Sequence, residues 1–196
     1  MKNLREKNLK NLKENHVYHE RMEHDACGVG LVVSTEGKKL RKVVESGIEA
    51  LKAVWHRGAI DADGKTGDGA GIRIEIPTDF FVEKIETTGH RHDNSELCVG
   101  MIFLPRNDYA AQEMCRTIIE SELTKNNFDI YGWRQVPVNP SVLGEKAEQT
   151  RPEITQILFK HNNEKMKDKE LDRALYETRR IIEKKALGQQ LKDFYI

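Results

Sequence analysis

The sequence lacks a long hydrophobic run and a net charge of either sign. No apolar run approaches the roughly 18 residues that a membrane-spanning helix needs. Lysine and arginine total 32, and aspartate and glutamate also total 32, so the formal net charge is +0. Nucleic-acid binders gain affinity by neutralising phosphates, which requires a basic surplus. We therefore expect neither a membrane nor a nucleic acid as partner.

Cysteine is also scarce in this chain. The three residues, Cys27, Cys98 and Cys115, are odd in number and far apart in sequence. Their spacing gives neither a disulfide framework nor a CxxC metal site, and it is typical of a reducing compartment. We therefore predict a cytoplasmic protein. Cys98 stands in an apolar strand segment and Cys115 in a helical one, so both are predicted to be core residues.

The first 26 residues differ from the rest of the chain. They are polar and contain no continuous apolar stretch of the kind a secretory signal needs, about 7–15 residues. We predict a leader at 1–26, either loosely ordered or removed as a propeptide, and a folded domain at 27–196. The chain ends on Phe194-Tyr195-Ile196, the start of an apolar strand. This ending predicts a truncated domain.

Hydrophobic patterning predicts both strands and helices after residue 27. Their alternation leaves a parallel α/β sheet open. However, Gly28-Val29-Gly30 stands at the start of a strand and not at a strand-to-helix turn, so the phosphate-binding turn of a dinucleotide fold is missing. The predicted strands are 28–34, 71–76, 97–104, 130–138 and 154–159, and the predicted helices are 40–55, 77–85, 109–125 and 167–186.

Residues 58–71, the glycine loop, hold five of the 14 glycines. A P-loop would need glycine at position 59, which is Ala59, and a calcium loop would need it at position 66, which is Thr66. Taken alone, the loop is therefore predicted to be rigid and structural, with aspartates that bond to their own backbone. These aspartates are Asp61, Asp63 and Asp68.

Cys27 stands between the polar leader and the first predicted strand. If the chain is cut after Ala26, the thiol shares its residue with a free α-amino group. That amine has a pKa near 7.7–8.0, so a good fraction of it is unprotonated at neutral pH and can act as the general base. An internal Cys27 lacks this base because its nitrogen is an amide. The pattern therefore predicts a nucleophile that removal of the leader activates.

Several blocks of the sequence together resemble the type-2 glutamine amidotransferase domain. The resemblance is greatest to the domain at the amino terminus of glutamate synthase large subunits. The long block of residues 55–71 is the most specific part. The blocks are Cys27-Gly28-Val29-Gly30, residues 51–59 (LKAVWHRGA), residues 61–71 (DADGKTGDGAG), Phe103-Leu104-Pro105, residues 131–137 (YGWRQVP), residues 144–147 (GEKA) and residues 150–154 (TRPEI).

The resemblance implies an α+β fold of the N-terminal nucleophile hydrolase type. Two antiparallel sheets pack face to face between helices in an αββα sandwich, which would be incomplete at the C-terminus here. It implies that Cys27 attacks the side-chain amide of glutamine and that a thioester then releases glutamate. Arg57 and Gly58 match the element that supports the substrate site, and the alternative for Arg57 is a structural salt bridge. No metal and no cofactor are expected in this segment.

The same resemblance extends to the whole enzyme. There the ammonia serves the reductive amination of 2-oxoglutarate at a second site, with FMN and an iron–sulfur cluster. The implied partners are the remainder of the synthase chain and a small electron-donating subunit. The family's oxyanion and glutamine-carboxylate residues would lie beyond Ile196, so we expect the fragment alone to be inactive. The alternative is a non-catalytic binding or regulatory module that keeps the same fold.

Overall fold

The computed structural model describes residues 7, 10, 11, 14, 15, 28–55, 58–93 and 95–196. The chain divides into two compact units, Met1–Trp55 and His56–Ile196. Within residues 28–55, the first unit contains one helix, α1 (Arg41–Ala53), where the apolar spacing predicts it. Lys52 lies in the last turn of α1, where a cation interacts favourably with the helix dipole.

The strand predicted over residues 28–34 is wrong. This segment is irregular in the structure, and Val29 and Leu31 are 95% and 85% exposed. A strand requires a neighbouring strand that accepts hydrogen bonds from its N–H groups and donates hydrogen bonds to its carbonyls. Between residues 28 and 55 the structure contains no strand, so the β-branched segment 28–34 has no partner strand there.

The second unit is built on a three-stranded antiparallel sheet. Its strands are β1 (Leu97–Leu104), β2 (Phe128–Gln135) and β3 (Glu153–His161), in the order β1-β3-β2. All three are predicted from the sequence, although β2 starts two residues before and ends three residues before the predicted 130–138. β1 is an edge strand of the sheet, and there Phe103 and Tyr195 exchange two backbone hydrogen bonds of 2.9 and 3.0 Å.

Two long helices cover one face of the sheet. They are α3 (Tyr109–Lys125) and α5 (Asp168–Gly188), close to their predicted bounds. The side chain of Asp108 caps α3 by accepting from the N–H of Ala111 at 2.9 Å. The two helices and the sheet enclose the main core, which contains Cys98, Ile102, Leu104, Cys115, Ile119, Leu123, Phe128, Ile157, Phe159, Leu171 and Ile182.

A shorter helix, α2 (Thr78–Thr87), covers the opposite face of the sheet. Its buried residues Phe81 and Ile85 pack against Leu97, Tyr131 and Leu158. The second unit is therefore α+β, with one antiparallel sheet between helices. The second sheet of the expected sandwich is not among the elements described between residues 28 and 196.

A bulge in β2 places aromatic residues on both faces of the sheet. Ile130 pairs with Phe159 and Gly132 pairs with Leu158, so Tyr131 is the extra residue. Tyr131 joins the α2 face, while Trp133 packs against the main core. Gly132 has a φ of 147°, a conformation that favours glycine.

The strand predicted over residues 71–76 is also wrong. The segment forms no strand and lies outside the sheet, and Ile72, Ile74 and Ile76 are 49%, 47% and 37% exposed. The alternation of these residues indicates an apolar face, but it does not identify the element that would cover that face.

Further along the chain, a short 3-10 turn (Pro140–Val142) precedes the helix α4 (Glu145–Gln149). In the described residues, no helix has the length and apolar character needed to cross a bilayer.

Candidate functional site

The structure places one of the three predicted site residues. Cys27 and Arg57 lie outside the described residues, and their predicted roles remain predictions. Gly58 is described and exposed, and it opens the glycine loop, residues 58–71. The geometry of the site is therefore the geometry of this loop and of what holds it.

The glycine loop closes into a small hairpin directly after Gly58. The N–H of Asp61 donates to the carbonyl of Thr66 at 2.7 Å, and Ile60 and Gly67 form a β-bridge. The N–H of Ala59 donates to the carboxylate of Asp68 at 2.9 Å, which joins the two ends of the hairpin. The hairpin therefore fixes the backbone one residue after Gly58.

Asp63 organises the tip of the hairpin. Its Oδ1 accepts from the N–H groups of Lys65 at 2.9 Å and Thr66 at 2.7 Å, and its Oδ2 accepts from the hydroxyl of Thr66. The Thr66 hydroxyl and then the two amides hold the pKa of this carboxyl well below its usual range. The prediction that the aspartates bond to their own loop is confirmed.

A second segment docks against the hairpin. This is residues 141–147, the anchor segment, and its hydrogen bonds to the hairpin span 76 to 85 positions in sequence. Lys65 Nζ donates to the carbonyl of Ser141 at 2.8 Å. Lys146 Nζ donates to both carboxylate oxygens of Asp61, each at 2.7 Å. The hairpin is therefore joined to the anchor segment at both its base and its tip.

Gly144 allows the closest approach between the two segments. A Cβ at this position would lie 2.1 Å from Thr66 Oγ1, 2.4 Å from Thr66 N and 2.5 Å from Asp63 Oδ2. These distances are far inside van der Waals contact, so no larger residue fits without displacing the hairpin. The residues 144–147 carry part of the sequence resemblance, but nothing in the pattern predicts their contact with Asp61 and Thr66.

The two described cysteines belong to the core. Cys98 is 4% exposed and Cys115 is fully buried. Burial raises the pKa of the Cys98 thiol to about 12 and raises the pKa of Cys115 as well. A thiol with so high a pKa supplies almost no thiolate at neutral pH and is a poor nucleophile. The prediction that both are core residues is confirmed.

A cleft in the described part of the chain lies elsewhere, between α3 and β2. It has a volume of about 450 Å³, and no residue of the glycine loop lines it. The guanidinium of Arg116 stacks on Trp133, 5.5 Å from the ring centroid, and Trp133 Nε1 donates to Glu120 at 2.6 Å. Arg116 also forms an ion pair of 2.7 Å with Glu113. Within the described residues, no group of three side chains suited to a metal ion occurs.

Comparison with protein families gives a match over most of the chain. The family model of class-II glutamine amidotransferases matches residues 27–196. The match begins at Cys27, the residue that the sequence predicts to be the nucleophile, and it continues through both the glycine loop and the anchor segment.

Individual relatives are glutamate synthases. The chain is 54% identical over 179 residues to the NADPH glutamate synthase large chain of Azospirillum brasilense, covering 91% of this chain and 12% of that protein. It is 39% identical over 175 residues to ferredoxin-dependent glutamate synthase 2 of Synechocystis, covering 89% and 11%. The spinach chloroplastic enzyme is 34% identical over 165 residues, covering 84% and 10%. The chain thus spans about a tenth of the length of these relatives.

Proposed function

Because the chain belongs to the class-II glutamine amidotransferase family, we propose that it hydrolyses glutamine with Cys27 as the nucleophile. The observation that carries this proposal is the family match, which starts at Cys27 and extends to Ile196. The chemistry of the thiols supports it, since Cys98 and Cys115 are buried and their pKa values are raised. Of the three cysteines, Cys27 is the one left to act.

The proposed reaction uses the amino group that removal of residues 1–26 would expose on Cys27. This amine takes the thiol proton, and the sulfur attacks the side-chain carbonyl carbon of glutamine. The C–N bond breaks, ammonia leaves with the transferred proton, and a thioester remains. Water then attacks the thioester, which releases glutamate and restores the thiol. In this scheme the leader is a propeptide that masks the base.

The glycine loop has a supporting role in this proposal. Arg57 and Gly58 are proposed to support the glutamine site, and Gly58 is the described residue from which the hairpin begins. The closed hairpin gives that position a defined backbone. For the complete domain we propose the αββα sandwich of this family. The exposed apolar segments 28–34 and 71–76 support it, because they are suited to strands of a second sheet once neighbours are present.

For the whole protein we propose a glutamate synthase, in which the ammonia is used to aminate 2-oxoglutarate reductively. The identity of 54% to the large chain from Azospirillum brasilense supports this. FMN and an iron–sulfur cluster would be held outside this segment. Cys98 and Cys115 are core thiols with raised pKa values, so they do not fit a cluster that binds thiolates. A small electron-donating subunit and a cytoplasmic location complete the proposal.

Substitution of the nucleophile tests this function in the full-length enzyme. We expect Cys27→Ser to abolish glutamine-dependent glutamate formation and to spare ammonia-dependent formation. The reason is that a serine hydroxyl is far less ionised than a thiol with a pKa near 8.5. Cys115→Ala is the control and should retain both activities. Near-normal use of glutamine by Cys27→Ser would instead show that Cys27 is not the nucleophile.

A further inference from the structure

We propose that the anchor segment, residues 141–147, is a positioning element of the glutamine site. It acts by fixing the glycine-loop hairpin and, through the hairpin, the backbone at Gly58. The inference rests on the proposed function, in which Gly58 supports substrate binding. It assigns Gly144 and Lys146 a role in the affinity for glutamine, although neither is expected to touch the substrate.

The hairpin transmits a displacement from its tip to its base. Its two ends are joined by the bond from the Ala59 N–H to Asp68 and by the bridge between Ile60 and Gly67. Asp63 ties down the tip by bonding to the amides of Lys65 and Thr66. A displacement at the tip therefore moves the base, and Gly58 is the residue next to that base.

The anchor segment determines where the hairpin lies. The carbonyl of Ser141 accepts from Lys65 at 2.8 Å, and Lys146 bonds to both carboxylate oxygens of Asp61. The N–H of Ala147 lies 3.5 Å from Thr66 Oγ1, to which it donates. These contacts reach the hairpin from three separate residues, so they constrain its orientation as well as its distance.

The ion pair at Lys146 and the steric contact at Gly144 differ in the size of their expected effect. The Lys146 and Asp61 side chains are 59% and 37% exposed, and a solvated ion pair of this kind changes an equilibrium by about 2–5-fold. The contact at Gly144 is steric, because a Cβ there would overlap Thr66 and Asp63. Water cannot compensate for this overlap as it can for a broken ion pair. A misplacement of about 1 Å at a catalytic site costs up to ~100-fold in rate. Gly144 is therefore the more sensitive position.

The test uses Gly144→Ala in the full-length enzyme, with Gly188→Ala as the matched glycine control. A Cβ at Gly188 would meet nothing within 4 Å. We expect Gly144→Ala to raise the KM for glutamine at least tenfold and to leave ammonia-dependent synthesis unchanged. Hydrogen–deuterium exchange of peptides from residues 58–68 should become faster in this variant. Gly188→Ala should match the parent in all three measurements.

The exchange measurement keeps this proposal distinct from the proposed function. A parent enzyme that does not use glutamine would refute the function, while the exchange of residues 58–68 would still report on the anchor. Unchanged exchange in Gly144→Ala would overturn the inference, as would faster exchange with an unchanged KM. Loss of both activities would also overturn it, because it would indicate a general folding role.

Lys146 provides a second, milder variant in case Gly144→Ala does not fold. Lys146→Met should raise the KM for glutamine about 2–5-fold. Lys146→Arg should restore it, because a guanidinium can bond both oxygens of one carboxylate. Gln149→Ala, at an exposed position of the same helix outside the anchor segment, is the control and should behave as the parent. An identical KM for Lys146→Met and the parent would contradict the role of this ion pair.

Discussion

At the scale of single residues, two equally buried threonines differ in whether their hydroxyl has a hydrogen-bond partner. Thr155 and Thr178 are both 2% exposed. The hydroxyl of Thr178 donates to the carbonyl of Ala174 at 2.8 Å, whereas the hydroxyl of Thr155 has no hydrogen-bond partner in the structure. A buried polar group without a partner carries a desolvation cost that nothing offsets. The two positions should therefore respond oppositely to the same substitution.

We expect Thr155→Val to leave the free energy of unfolding unchanged or to raise it by about 1 kcal/mol, because valine has the same shape without the hydroxyl. Thr178→Val should lower it by about 1 kcal/mol, since a satisfied hydrogen bond is lost. Urea denaturation of the two variants and the parent measures both values. A loss at position 155 as large as that at position 178 would contradict the assignment of an unpartnered hydroxyl.

At the scale of elements, a buried carboxylate joins α3 to α5. Glu122 of α3 is 4% exposed and accepts from Lys185 of α5 at 2.6 Å and from Lys125 at 3.0 Å. The hydrogen bond from Lys185 is the main reason that the pKa of this carboxyl lies below its usual value. The interaction therefore stabilises the packing of the two helices when Glu122 is ionised.

We expect Glu122→Gln to lower the free energy of unfolding by about 1–2 kcal/mol at pH 7, as for a charged hydrogen bond whose lysine ends are partly solvated. The folded-state pKa lies below the usual value of about 4.3, so this contribution is present above that pH and is lost as the pH falls through the folded-state pKa. The gap between parent and variant should thus close in acid.

The control for this prediction is Glu113→Gln on the same helix. Glu113 pairs with Arg116, but its side chain is 70% exposed, so the effect should stay below about 0.5 kcal/mol. Denaturant titrations between pH 3 and pH 7 compare the two variants. A difference for Glu122→Gln that does not depend on pH would contradict the ionic origin of its contribution.

Local patterns in the sequence predict the helices and the paired strands well. The Asp108 cap and the apolar spacing locate α3 at its observed start, because both signals lie within one turn of the helix. The predicted strands at 28–34 and 71–76 are wrong because strand formation depends on non-local contacts. Their β-branched and alternating residues define an apolar face, but a strand forms only with a partner, and the partner is not a local property.

At the scale of the whole molecule, the same limit applies to the candidate site. The glycine spacing predicts a rigid loop, and its aspartates do bond to their own backbone. The ion pair between Asp61 and Lys146 spans 85 positions, and a single sequence contains no periodicity that reports such a contact. Gly144 is similar, since its need for glycine arises from Thr66 and Asp63 and not from its own φ.

The central claim is that Cys27, exposed as an amino-terminal residue, is the nucleophile. The most direct test treats the full-length protein with a glutamine analogue that carries an electrophilic ketone, and then maps the label by proteolysis and mass spectrometry. We predict one label, on a peptide that begins at Cys27, and protection by excess glutamine. Cys98 and Cys115 should remain unlabelled because their pKa values are raised. A label on Cys98 or Cys115, or a labelled Cys27 still joined to Ala26, would contradict the account.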